Sequence, residues 1–230
     1  MHSFLNHPIK TLKEFFLFPT YISKKDDFLP VCFFSEDKKA FLKQFSKHKS
    51  KSLVAIGYCS KPYNSQDKRL CCPSGRFNHR CMFLENINLK ANSFSYPSTV
   101  CKECIIGKVG KEVIAAGYPF YIMTSAMDIA KDVFSFPFKR AILTLCPYSS
   151  TIILYPLRIF NIEAIIFQYI SGDCRTYKEF DLADRGIKRD TTNLSMIDLK
   201  EFLKIVEEIS YDKFFVKVKR EGNFLIGDWD

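Results

Sequence analysis

Glycine is scarce in this chain, 9 among 230 residues, and none of the nine falls into G-x-G-x-x-G or G-x-x-x-x-G-K-[ST]. A backbone cradle for phosphate needs glycine where the chain must approach the anion closely, so the nucleotide-loop enzymes are disfavoured. Histidine is scarcer still, 4 residues, with no H-E-x-x-H, no G-x-S-x-G and no histidine near a strand end in the second half. The usual nucleophile and base pairs are therefore missing. Long hydrophobic runs are also lacking: the longest apolar stretch, residues 151–170, is interrupted by Pro156, Arg158 and Glu163, which is costly at bilayer depth. Near the start, only Phe15, Phe16, Leu17 and Phe18 form an apolar patch, flanked by Pro19, Lys24 and Lys25, without a small-residue cleavage motif. The expectation is a protein with no membrane span and no secretory signal, in a reducing, cytoplasmic compartment.

What is present is 47% apolar and 26% charged residues, the balance of a folded globular protein. Phe28 to Phe34 reads as a short strand, and Phe41, Leu42 and Phe45 recur at helical spacing behind Ser35. Leu53 to Tyr58 is a buried strand, completing a first strand–helix–strand unit. The alternation resumes with a helix from Cys104 to Ala116 closed by Gly117, a strand Pro119 to Met123, and a helix opened by Thr124, Ser125 and Asp128 at capping-box spacing. Arg140 to Leu145 is a strand, a helix lies near Ile152 to Phe160, and Ala164 to Ile170 is a strand. Ser195 and Asp198 open an amphipathic helix carrying Phe202, Leu203, Ile205, Val206 and Ile209, and Phe214 to Ile226 is a hairpin turning near Gly222 and Asn223. This order predicts one α/β domain over residues 1–230, a Rossmann-like three-layer unit with a mostly parallel sheet and a C-terminal hairpin. The 23 phenylalanines are read as core.

Residues 60–104 break the pattern: an irregular, cysteine-rich segment without a sustained period. A loop of that length is usually functional or held by something other than a core, and a bound metal is one such thing. The chain has 9 cysteines, and in a reducing compartment these are ligands, redox thiols or small core residues rather than a disulfide framework. Cys101-Lys102-Glu103-Cys104 is the only C-x-x-C and lies at a helix entrance, where backbone N–H groups favour thiolate. With Cys72 and Cys81 it makes a four-thiolate set suited to zinc or to a 4Fe–4S cluster, Cys71 being an alternative to Cys72 and His79 a replacement ligand or a plain surface histidine. The same four cysteines could also be a redox dithiol with structural companions. Cys32 sits in an apolar run and is read as core. Cys59, Cys146 and Cys174 each follow a predicted strand, and the carboxyl ends of strands form the ligand crevice of open α/β sheets. Cys146 and Cys174 are thus candidate cofactor-binding residues, close to the metal.

The formal charge of +9 is uneven. Residues 1–111 hold 19 Lys and Arg against 8 Asp and Glu, and residues 112–230 hold 15 against 17. A four-thiolate centre carries about −2, which Arg69, Arg76, Arg80, Lys102 and Lys108 can balance.

From Cys101 to Ile209 the order resembles a cysteine-rich prokaryotic family, domain of unknown function 116. The resemblance rests on the C-x-x-C running into a helix, the turn Gly117-Tyr118-Pro119 into a strand, the strand Ala141 to Cys146, and Asp184-Arg185-Gly186 with Thr191, Thr192 and Asp198 before the last helix. Gly107 stands where that family has a third cysteine, and Gly186-Ile187 where it has Gly-Cys. The resemblance implies metal or iron–sulfur binding on an α/β fold, and it implies no reaction.

The leading expectation is a cysteine-ligated metalloprotein with a redox or electron-transfer role, working with a redox partner protein or a small molecule. The alternatives are a nucleic-acid-binding module built on the basic half with interleaved aromatics such as Lys61-Pro62-Tyr63, and a metal-free enzyme using Asp128, Asp173 or Asp184 with strand-end thiols.

Overall fold

A computed structural model describes residues 31–33, 37–64, 69–88, 95–188, 190–209 and 217–228. Its centre is four parallel strands: β2 (Ser52–Gly57), β5 (Phe120–Met123), β6 (Arg140–Leu145) and β7 (Glu163–Ser171). β1 (Val31–Phe33) closes one edge antiparallel to β7, and the hairpin of β9 (Lys217–Glu221) and β10 (Phe224–Asp228) closes the other through β5. The order is β1-β7-β6-β2-β5-β10-β9, with the short β8 (Asn193–Leu194) on β7. The fold is therefore α/β with a mixed sheet, parallel at its core. The expected strand–helix–strand order is present, and within the sheet β1 pairs antiparallel with β7 rather than with β2.

Side chains alternate across the central strands because the pleat has a period of two. Val54, Ile56, Ile122, Ile142 and Phe167 face one apolar cluster, whereas Leu53, Ala55, Met123, Leu143 and Ile166 face another. Helix α1 (Lys38–Lys47), capped by Asp37, contributes Phe41 and Phe45 to the first cluster. Helices α4 (Ile105–Ala115) and α8 (Met196–Ile209) join it through Val109, Val113, Phe202 and Ile205. Helices α5 (Ala126–Asp132) and α6 (Pro147–Ile159) cover the second through Ile129, Ile153 and Leu157. Each such fully buried apolar side chain contributes roughly 1.5–3 kcal/mol, which is why strands read as continuous apolar runs rather than alternating ones.

Two helix boundaries differ from the periodicity. Helix α6 begins at Pro147, with Cys146 as its N-cap, and it retains Pro156 inside. Proline is pre-organised for the first helical turn, so Cys-Pro marks the true start. A helix absent from the apolar pattern, α7 (Tyr177–Asp184), is started by a full capping box between Thr176 and Glu179. The irregular segment holds the short pair β3 (Tyr63–Asn64) and β4 (Arg69–Leu70) and two single-turn helices, α2 (Met82–Glu85) and α3 (Val100–Glu103). Cys32 lies on β1, but its side chain and Ser35 fall outside the described residues.

The topology fixes where a ligand would sit. The chain leaves β2 and crosses to β5 by α4 on one face, then returns past β2 to β6 and β7 by α5 and α6 on the other. The carboxyl ends of β2 and β6 consequently diverge to opposite faces and leave a crevice between them.

Candidate functional site

Cys72, Cys81, Cys101 and Cys104 line one small pocket, together with Lys61, Phe83 and Gly107. They arrive from four local structures. Cys72 closes the turn after β4, its carbonyl accepting from Gly75 N–H at 3.1 Å. Cys81 precedes α2, with its N–H donating to Glu85 Oε1 at 3.3 Å. Cys101 lies on α3, and Cys104 is the N-cap of α4. Cys72, rather than Cys71, faces this pocket.

The pocket has a cation that sequence reasoning missed. Lys61 is 1% exposed, and its ammonium donates to Gly75 O at 3.1 Å, Asn78 O at 2.9 Å and Asn78 Oδ1 at 2.7 Å. All three N–H groups are thereby satisfied, which makes burial of this charge tolerable. Burial lowers Lys61 to about 8, against the opposing pull of Cys72, Cys81 and Cys104. The thiols move the other way. Burial pushes Cys81 up to about 12, although the Leu84 N–H favours its thiolate. Cys104 and Cys101 are raised by burial too, opposed at Cys104 by the Gly107 and Ile106 N–H groups.

The basic residues expected to balance thiolates have other partners. Arg80 pairs with Glu85 at 2.7 Å and Lys108 with Glu103 at 2.7 Å. Arg76 is buried, donates to the carbonyls of Cys59 and Asp190, and lies over the Tyr63 ring. Lys102 lies over Tyr96, and the side chain of Arg69 falls outside the described residues. His79 is a tether, its Nδ1 2.7 Å from Ile122 O and its Nε2 3.2 Å from Thr124 Oγ1. It does not line the cysteine pocket.

Among the described residues, no three His, Cys, Asp or Glu side chains are gathered as tightly as a metal's coordination shell. The donor set nevertheless fits one: four thiols and no carboxylate on a shared pocket, the composition that zinc or an iron–sulfur cluster takes.

A larger cleft, about 610 Å³ of open space, lies at the carboxyl ends of the strands. Cys59, Cys146 and Cys174 all line it, so the strand-end thiols share one rim. It has no lining residue in common with the four-cysteine pocket. Cys146, the N-cap of α6, has its sulfur 2.6 Å from Ser149 Oγ and 3.4 Å from Ser149 N. The Cys174 sulfur accepts from Lys188 Nζ at 3.3 Å and faces Glu179 O at 3.6 Å. The neighbouring Cys174, first, and the donors on Ser149 hold Cys146 down, to about 6, against burial. The proximity of Cys146, with burial, holds Cys174 up. The two titrate as a unit in which Cys146 ionises first.

Below the sulfurs the floor is hydroxylic. Tyr169 Oη lies 2.6 Å from Thr144 Oγ1 and accepts from Ser60 Oγ at 2.7 Å. Gly57 packs closely here: an added Cβ would stand 3.0 Å from Cys59 Sγ, so the thiol would have to give way slightly. Asp184 is occupied at the end of α5, accepting from Ala126 N–H at 2.5 Å. Thr192 N–H donates to Cys59 O at 2.9 Å, so the segment bearing the resemblance's Asp, Gly and Thr residues folds onto the cleft. Ser149 and Lys188 were not singled out in the sequence. The Cys-Pro helix start was a signal for Ser149, whereas nothing local marks Lys188.

No family model, curated protein or solved structure matches the chain.

Proposed function

We propose that the chain is a cysteine-ligated metalloprotein in which Cys72, Cys81, Cys101 and Cys104 hold zinc or an iron–sulfur cluster beside a Rossmann-like three-layer core. The observation that carries this reading is the convergence on one pocket of four thiols drawn from residues 72–104. Gly107, where the resembled family has a further cysteine, lines the same pocket, so any ligand set here rests on Cys72, Cys81, Cys101 and Cys104. Bound metal would supply the negative tetrathiolate centre that the buried Lys61 ammonium complements; as a cluster it would also carry electrons to a redox partner or small molecule. The protein's own part is to hold the loop: Lys61 pins Gly75 and Asn78, and Glu85 ties Cys81 N–H to Arg80 and Arg220. Thiols raised by burial must release protons to bind metal, so loading favours higher pH.

The nucleic-acid alternative draws on the same basic half, but there Lys61 and Arg76 are buried and Arg80 and Lys108 are paired with acids. Purification without oxygen, followed by iron, zinc and labile-sulfide analysis and visible absorption, tests the metal reading. Metal is expected in the wild type, lost on alanine substitution at each of the four cysteines and kept in Cys71→Ala. Background metal in the wild type overturns it.

A further inference from the structure

We propose that Cys146 and Cys174 form a second, separate active site, a dithiol that reduces disulfide substrates entering the strand-end cleft, with Cys146 as the attacking thiol and Cys174 as the resolving one. The inference stands independently of the metal reading, because the cleft and the four-cysteine pocket have no residue in common.

The geometry separates the two roles. Cys146 sits at the N-cap of a 13-residue helix, with both the hydroxyl and the N–H of Ser149 directed at its sulfur. Those donors, and the free N–H groups of the first turn, stabilise a negative sulfur. Cys174 comes from the loop after β7, lines the same cleft as Cys146 and donates its S–H to Glu179 O at 3.6 Å. Lys188 sits on the Cys174 side. The other titratable groups on the cleft are Tyr58, Cys59, Tyr169 and Asp184, of which Tyr58 donates to Ala183 O at 2.6 Å, Tyr169 lies 2.6 Å from Thr144 Oγ1 and Asp184 accepts from α5. Burial raises Tyr58, Cys59 and Tyr169, leaving Cys146, held by Ser149, as the nucleophile. The walls are apolar, with Ile129, Ile153 and Phe180 around the sulfurs. Such walls suit a disulfide flanked by apolar or aromatic groups.

The exchange balances without another reactant. The Cys146 thiolate attacks one sulfur of R–S–S–R′, forming a Cys146–S–R bond as the substrate S–S bond breaks, and R′–S⁻ leaves with the electron pair. The leaving thiolate takes the Cys174 proton. Cys174, now a thiolate beside the Lys188 ammonium, attacks the Cys146 sulfur and expels R–S⁻. Two electrons have passed from the protein's Cys146 thiolate and Cys174 thiol to the substrate, which is released as one thiol (R′–SH) and one thiolate (R–S⁻), while a Cys146–Cys174 disulfide remains.

The test is stopped-flow reaction of the full-length reduced protein with dithiobis(nitrobenzoic acid) at neutral pH, with peptide mapping of the product. Expected are a fast phase releasing two equivalents of aromatic thiol and a Cys146–Cys174 cross-link. Cys174→Ser should release one equivalent in that phase and trap the mixed disulfide on Cys146. Cys146→Ser should lose the fast phase while folding normally, since serine is a favoured N-cap. A fast phase that survives in Cys146→Ser, or a cross-link to another cysteine, overturns the proposal. Zinc bound by the wild type and lost in Cys146→Ser but not in Cys101→Ser would make the cleft a metal site, and equally overturns it.

Discussion

The sulfur of Cys146 lies 2.6 Å from the hydroxyl of Ser149, one helical turn further along the chain. That contact joins a strand end to a helix start and, after the larger effect of Cys174, helps to hold this cysteine low, unlike the others whose shifts are resolved, all of which burial or hydrogen bonding pushes upward.

Alkylation of Cys146 by iodoacetamide, followed residue by residue in mass spectrometry, should reach half its plateau rate near pH 6 rather than near the ordinary thiol value of 9.0. Ser149→Ala removes one of the donors to the thiolate, moves that midpoint upward and slows the reaction several-fold at pH 7, of order one hydrogen bond to a charged group. An unchanged profile in Ser149→Ala would show that the hydroxyl does not tune the sulfur.

The same shift links to stability. The folded Cys146 ionises about pH 6 and an unfolded one at 9.0, so between these values the unfolded chain binds more protons and stability rises with pH. The contribution is fully present above pH 9.0 and is lost as pH falls through about 6. Cys174, raised in the fold, is protonated in both states in that window and does not cancel it. Denaturant midpoints of wild type minus Cys146→Ser should therefore widen in favour of the wild type from pH 6 to pH 9.

Lys61→Met keeps the stem but strands the acceptors on Gly75 and Asn78. Losing charged hydrogen bonds at a buried site should cost about 2–3 kcal/mol and, on the metal reading, lower metal content. Chemical denaturation and metal analysis of one preparation measure both. Full stability with full metal would mean that the loop is held without this ammonium.

Glu85→Ala removes a carboxylate that accepts from Arg80, Arg220 and the Cys81 N–H. Burial alone would raise this acid, but the bonds from Arg80 and Arg220 outweigh it and hold it low. The variant should be destabilised by about 1–3 kcal/mol and show faster amide exchange around Cys81. Exchange confined to the C-terminal hairpin would assign Glu85 to the hairpin alone.

Gly186→Ala should also destabilise, by about 1–2 kcal/mol or more, because Gly186 has a φ of +82° and an added Cβ would stand 2.7 Å from the Phe77 ring. Thermal unfolding measures it. Substitution at Gly222, with positive φ but open space around it, is the milder control.

Periodicity was sufficient for the elements whose apolar residues simply repeat. Arg140–Leu145 is found with the expected bounds, and Phe202, Ile205, Val206 and Ile209 of α8 are buried as a stripe. It failed for α7, whose burial is slight, Ala183 alone being fully buried; there the start signal is the Thr176 and Glu179 capping box, a polar feature that an apolar template passes over. It left the pairing of β1 open, since a three-residue strand carries no information about its neighbour, and the antiparallel edge on β7 is a long-range choice.

For the sites, cysteine spacing and strand ends were enough to single out Cys72, Cys81, Cys101, Cys104, Cys146 and Cys174, because thiol chemistry needs few residue types and those are rare. The sequence alone also determined that phosphate loops and familiar hydrolase motifs are missing. Only the tertiary structure decided that the first four thiols share a pocket with Lys61 and that the last two meet Ser149 and Lys188 across a different cleft. The physical reason is that ionisation and reactivity depend on burial and on a few hydrogen bonds between segments far apart in the chain. Lys61 and Asn78 are 17 residues apart, and Tyr169 meets Ser60 across 109. Glycine remained scarce throughout, yet at Gly186 it stands where the Phe77 ring of a distant segment leaves no room for a side chain.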